Sequence, residues 1–185
     1  MALKKLYIFV EGADDILFFK SVFVPIFLEK YDDVEIIQYA QMKRIKVDLF
    51  ITSIVTLGFD YIIAADIDAE PTVMDKKKFV KHKFEVAEMP KIAIVIQEIE
   101  SWYLAGITNE FIKKMGLYDL PETNQITKED FNQYYIKSYH SRIDFMQETL
   151  KHYSVDLARE RNASFNFFFQ KYCGWFFNNK MSELG

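Results

Sequence analysis

Three acidic clusters, each placed where an apolar run stops, hold the chemical interest of this 185-residue chain. Leu6-Tyr7-Ile8-Phe9-Val10 leads into Glu11, Tyr61-Ile62-Ile63-Ala64-Ala65 leads into Asp66-Ile67-Asp68, and the run ending at Gln97 leads into Glu98-Ile99-Glu100. Carboxylates gathered at the ends of buried strands are costly to keep ionised, because desolvation and mutual repulsion both favour the protonated form. A divalent cation is the usual reason to assemble them. Hard oxygen donors select Mg²⁺ or Mn²⁺ over zinc, and His82, His140 and His152 are scattered in polar surroundings rather than paired at helical spacing. Such an ion serves phosphoryl transfer or phosphodiester hydrolysis. No Gly-rich phosphate loop is present, which counts against an ordinary nucleotide-dependent kinase or ATPase.

Each acid also has a plainer reading. Asp14 and Asp15 suit the N-terminal end of a helix opened by Gly12. Asp68 suits a turn before Ala69-Glu70-Pro71, and Glu98 or Glu100 alone suits a helix start. Glu11 and Asp66, each at the end of an apolar run, are the least explained by capping. Asp66-x-Asp68 is expected to close the third strand, where alternation points both side chains the same way, toward one cation.

The elements that must position these acids alternate. Strand patterns cover 6–10, 34–38, 61–65 and 92–97, with helix-length segments 14–30, 43–57 and 72–84 between them. The near-continuous apolar strands suit a parallel sheet covered on both faces. Pro25 should kink or end the first helix, and Gly58 should stop the second. Beyond Glu98 the strand signal disappears. Thr108, Thr127, Ser141 and Ser164 each precede a helical pattern, and Thr127-x-x-Asp130 and Ser141-x-x-Asp144 resemble capping boxes. Residues 116–123, with Pro121, read as a connector. The expectation is an α/β fold: a mostly parallel sheet flanked by helices over 1–106, with a helical C-terminal region over 107–185 packed on it.

Half the residues are apolar and 17% aromatic, ample for a dense core. A net charge of −4 argues against coating nucleic acid by bulk attraction, so any such contact needs a local basic patch. Lys76-Lys77-Lys78 and Lys81-His82-Lys83 follow the D-x-D closely, and Arg159 and Arg161 precede Ser164. Lys76, Lys78, Arg159 and Arg161 are therefore candidate phosphate or nucleic-acid contacts, with a solvated helix face as the alternative for the lysines and ordinary surface placement for the arginines. The lone Cys173, among aromatics, reads as a buried inert thiol. Phe165, Phe168, Phe169, Tyr172 and Phe176 fall on one helical stripe, which is core or a homodimer interface. About five apolar residues after Lys5 are too few for a secretory signal, and no run approaches a membrane span; a soluble cytoplasmic protein is the default.

Val10-Glu11-Gly12-Ala13-Asp14-Asp15 with Ala65-Asp66-Ile67-Asp68 resembles the Toprim fold of topoisomerases, bacterial primases, ribosomal RNA maturases and overcoming-lysogenization-defect nucleases. The resemblance implies Mg²⁺-dependent phosphodiester chemistry. Glu11 would be a metal ligand or general acid/base, Asp66 and Asp68 the metal-binding pair, and Asp15 an extra acid on the first helix. Residues 98–105 and 158–168 resemble a narrower group of small prokaryotic Toprim-like proteins, departing from it at Gly106, where an Asp is expected after Ala105.

The leading expectation is thus a Toprim-type nuclease with Glu11, Asp66 and Asp68 catalytic, and Glu11, Asp15, Asp66, Asp68, Glu98 and Glu100 holding Mg²⁺ or Mn²⁺. DNA, RNA and small phosphoesters all meet that description. An aspartate-based phosphatase or phosphotransferase is a second reading, disfavoured because its D-x-D follows the first core strand, which here ends in Glu-Gly. A receiver-like phosphoacceptor needs a Lys closing a later strand, where Gln97-Glu98 stands. The third is a non-catalytic interaction module in a defence or mobile-element complex.

Overall fold

The computed structural model describes residues 3–118, 122–136 (the side chain of 136 apart) and 139–176. Pro121 of the expected connector and the end of the helical region beyond 176 lie outside them. The chain is α/β, and the described residues include four parallel strands in the order β2-β1-β3-β4. They are β1 Lys5–Val10, β2 Asp33–Gln38, β3 Asp60–Asp66 and β4 Ile92–Val95. The described residues form two compact units, 3–95 with 173–176 and 96–172. The first is the sheet unit and the second is helical. The chain changes unit straight after β4, so Glu98 and Glu100 fold with the helices.

In the sheet unit, β1 pairs with β2 on one side and β3 on the other, with Phe9 opposite both Ile37 and Ile63. Phe9, Tyr61, Ile63, Ala65, Ile92 and Ile94 line one face and pack with Val47, Ile51 and Ile54 of α3 (Arg44–Thr56) and Val80 of α4 (Val73–Lys83). The alternate residues Ile8, Val10, Ile62 and Ala64 are buried too. Burial on both faces is why these strands are continuous apolar runs rather than alternating ones. α1 (Ala13–Phe18) and α2 (Val24–Phe27) are joined by a π-helical segment, Phe19–Phe23. That wide turn leads into Pro25, whose ring lacks the N–H an α-helical ladder needs. Gly58 follows α3 at φ 74°, a left-handed stop that a β-carbon would strain.

The helical unit comprises α5 (Ile99–Ala105), α6 (Asn109–Met115), α7 (Lys128–Ile136), α8 (Arg142–Lys151), α9 (Val155–Arg161) and most of α10 (Ala163–Cys173). Thr108, Thr127 and Ser141 cap α6, α7 and α8 as their spacing suggested. The cap of α10 is Asn162 rather than Ser164: its Oδ1 accepts the Phe165 N–H at 3.0 Å. Ser164 lies inside the helix, accepts the Trp102 indole N–H at 2.7 Å and donates to Asn162 at 2.9 Å. The two sequence stretches around Trp102 and Asn162 thus meet through a buried polar network in which each group has a partner. Phe165 and Phe168 pack edge-on against Trp102 at 5.3 and 5.4 Å, and with Phe169 they make the buried part of the aromatic stripe, core inside this unit. Gly106 has a steric reason: a β-carbon there would come within 2.3 Å of the Tyr153 ring. Among the described residues no helix is long and apolar enough to cross a membrane.

Candidate functional site

In an open parallel sheet, ligands sit at the carboxyl ends of the strands where the strand order reverses. Here the chain runs from β1 outward to β2, then back across to β3, so the reversal lies between β1 and β3. Glu11 follows β1 directly and Asp66 closes β3. The backbone N–H of Tyr39, just after β2, donates to the Val10 carbonyl at 2.9 Å, which extends the β1–β2 ladder to the same rim.

Tyr39 organises this rim. Its ring is buried, packed edge-on against Phe84 at 5.3 Å, and its hydroxyl donates to Glu11 Oε1 at 2.7 Å. Burial, then the charge and hydrogen bond of Glu11, then the charges of Asp15 and Asp66, hold the hydroxyl well above the ordinary phenol range. Three carboxylates from three elements therefore act on one hydroxyl, which stays a permanent donor. Tyr39 belongs to no chemical motif in the sequence. Its signal was position alone, a hydroxyl one residue beyond an expected strand.

Asp15 has a structural duty as well. Its Oδ2 accepts the Gly12 N–H at 2.9 Å, closing the N-terminus of α1, and a β-carbon on Gly12 would sit 3.1 Å from that oxygen. A substituent there must displace the carboxylate. Asp66 has electrostatic contacts with its neighbours, while its Oδ1 atom is shielded from solvent and accepts no hydrogen bond. Alternation assigns Asp66 to the side of β3 opposite Ala65, whereas Glu11 meets Tyr39 on the face that Ala65 shares. The two carboxylates thus reach the rim from the two sides of the sheet.

Asp68 stands apart from that group. β3 ends at Asp66, and Asp68 takes a left-handed φ of 49°, so strand alternation does not carry through to it. Its carboxylate pairs with Lys76 of α4. Lys76 is only 3% exposed, so neither a solvated face nor an exposed phosphate contact describes it. Lys78 is exposed and lines an open cleft with Lys81, His82, Glu85 and Met89.

The remaining candidates serve the helical unit. Glu98 Oε2 accepts the Lys128 N–H at 2.5 Å at the start of α7. Glu100 is buried and pairs with Arg142, whose Nε also donates to Asn132 at 2.9 Å. Arg161 donates to the Ile107 carbonyl at 2.7 Å and to Asn109 at 2.9 Å. Arg159 reaches Asn166 at 3.4 Å and lies 4.9 Å over the Phe169 ring. Both guanidinium groups are engaged within their own unit.

For a hard divalent cation, the rim fits in donor chemistry: Glu11, Asp15 and Asp66 all offer carboxylate oxygens at the carboxyl ends of β1 and β3 and the start of α1. They are not drawn into a closed cage. Among the described residues no group of three His, Cys, Asp or Glu side chains is disposed to hold an ion. Compared with family models, curated proteins and solved structures, the chain finds no match in any of the three.

Proposed function

We propose that the protein is a Mg²⁺- or Mn²⁺-dependent phosphodiesterase of Toprim type, acting on nucleic acid, with its centre at the rim between β1 and β3. The observation that supports this best is the hydrogen bond from the buried Tyr39 hydroxyl to Glu11 at the reversal of strand order, on a rim where Asp66 closes β3 and Asp15 opens α1. Glu11 and Asp66 would hold the ion, with Asp15 contributing from the first turn of α1. Bound there, such a cation would supply Lewis-acid polarisation of a phosphoryl oxygen and a more acidic water. Tyr39, locked as a donor, orients Glu11 and leaves its second oxygen available. Glu98 and Glu100 act in the helical unit rather than at this centre. Lys78 and Lys81, on α4, give the phosphate backbone its positive contact. Mn²⁺-dependent cleavage of single-stranded DNA, RNA and bis(p-nitrophenyl) phosphate, compared between wild type and Asp66→Asn, tests the proposal. Loss of cleavage in a folded variant is expected; undiminished cleavage removes the assignment.

A second reading, a non-catalytic interaction module, draws on the same structure: among the described residues no three-ligand set is closed, and Asp68 already has a cation. Failure of the wild type to bind Mn²⁺ at millimolar concentration favours it.

A further inference from the structure

We infer that α3 is a docking surface for a second copy of this chain, the two helices packing antiparallel across a two-fold axis. α3 lies on the sheet with Val47, Ile51 and Ile54 buried, yet its opposite face is apolar as well. Ile45, Leu49 and Leu57 are 62, 61 and 66% exposed, and Val55 is half exposed. No charged side chain occurs from Leu49 to Phe59. Ile45, Leu49, Thr52 and Thr56 recur at i, i+4, i+7 and i+11, so they form one stripe of the helix. The hydroxyls in this face are spent on the helix itself. Thr52, Ser53 and Thr56 donate to the carbonyls of Asp48, Leu49 and Thr52 at 2.8, 2.9 and 2.8 Å, so their donors are satisfied without water. A helix on the outside of a sheet ordinarily turns a charged face to solvent, and one that is apolar all round is ordinarily covered.

The charges of α3 identify the occupant. A helix favours acids at its amino end and bases at its carboxyl end. α3 has the reverse: Lys43, Arg44 and Lys46 lie at its start, with no acid in the first turn and no base in the last. Arg44 is engaged by Glu85 and Asp48, whereas Lys46 is exposed. A second α3 laid antiparallel puts each Lys46 beside the other helix's carboxyl end, where unpaired carbonyls carry the negative end of the dipole. The misplaced cation of each copy thereby serves the other, and a two-fold axis repeats the match at both ends. At 13 residues α3 is about 20 Å long. Exposed Val86 adjoins it, its N–H meeting Asp48 Oδ1 at 3.5 Å. One helix face of this length buries less than the ~800 Å² per partner of a standard interface, so the pairing is weak and reversible. It is independent of the chemistry proposed for the β1–β3 rim.

The test is sedimentation equilibrium of the full chain across about 5–500 µM, a range that brackets a weak interface. Wild type should form reversible dimers. Leu49→Glu, at an exposed position where the melting curve should stay in place, should be monomeric throughout, because two acids would meet near the axis. Lys46→Glu and Leu57→Lys each give α3 the charge its own dipole prefers, so folding is kept. Each should nevertheless weaken dimerisation about tenfold, since the mismatch occurs twice per dimer. Combined, they exchange the charges of the two ends and should dimerise more tightly than either single variant. A monomeric wild type, a Leu49→Glu protein that still dimerises, or losses that simply add in the double variant each overturn the inference.

Discussion

β3 begins and ends with an aspartate, and its two ends are solved differently. At the amino end, Asp60 receives the Lys91 ammonium at 2.9 Å and the Tyr31 hydroxyl at 3.0 Å. Burial acts to raise its pKa, but the Lys91 hydrogen bond, the Tyr31 hydrogen bond and the Lys91 charge outweigh it and hold the carboxyl below its ordinary range. At the carboxyl end, a phenol is again present, but Tyr39 donates to Glu11, and the charges of Asp15 and Asp66 add to that of Glu11 in holding its proton on. The cation nearest in sequence, Lys76, is spent on Asp68. One end is a closed ion pair that stabilises the sheet. The other gathers negative charge around a neutral donor, an arrangement that gains from an added cation.

The largest effect expected at the carboxyl end is on metal affinity. Asp66→Asn or Glu11→Gln should weaken Mn²⁺ binding by at least about 100-fold, the upper end of what even supporting residues contribute. Unchanged affinity by calorimetry would break the contrast between the two ends. Glu100→Gln should behave the opposite way. Leaving Arg142 without its anion in a largely buried pair should cost about 3 kcal/mol of stability in urea unfolding, with Mn²⁺ affinity unaltered. A drop in affinity instead would bring Glu100 back among the ligands.

Smaller effects sharpen the comparison. Tyr39→Phe removes the donor that orients Glu11 and should weaken Mn²⁺ binding by about tenfold, measured beside a melting curve. At the amino end the sign follows from a depressed pKa. The Asp60 contribution is present above its unfolded value of about 3.9 and is lost as pH falls through the folded value. Asp60→Asn should therefore cost under about 1 kcal/mol at neutral pH, given partial exposure, and nothing once pH lies below the folded value. A constant difference across that range contradicts the pairing. Smallest of all, Cys173 is buried and its thiol is pushed up to about 12 by burial, so native protein should resist iodoacetamide.

How much of this was legible in sequence depends on the range of the interaction. The four strands, the crossover helices and the Gly58 stop follow from local patterning, because continuous apolar runs of this length form parallel strands covered on both faces. Glu11 and Asp66 were legible as strand-terminal acids for the same reason. Asp68 was not, since a left-handed turn residue breaks the alternation that would aim it with Asp66. Glu98 and Glu100 share the local signature of Asp66, an acid after an apolar run, yet their partners Lys128 and Arg142 lie 30 and 42 residues further on. Arg161 shows the same blindness, its guanidinium satisfied by Ile107 and Asn109. Spacing identifies which acids end strands; only the fold shows which already have a donor.

The most direct measurement is a crystal structure of the protein soaked in Mn²⁺, read by the anomalous signal of the ion. The account expects a peak at the rim between β1 and β3, within direct coordination distance of both Glu11 and Asp66, about 2.0–2.2 Å for so hard a cation. Absence of a peak at the rim, or a peak coordinated by Glu98 and Glu100, contradicts it.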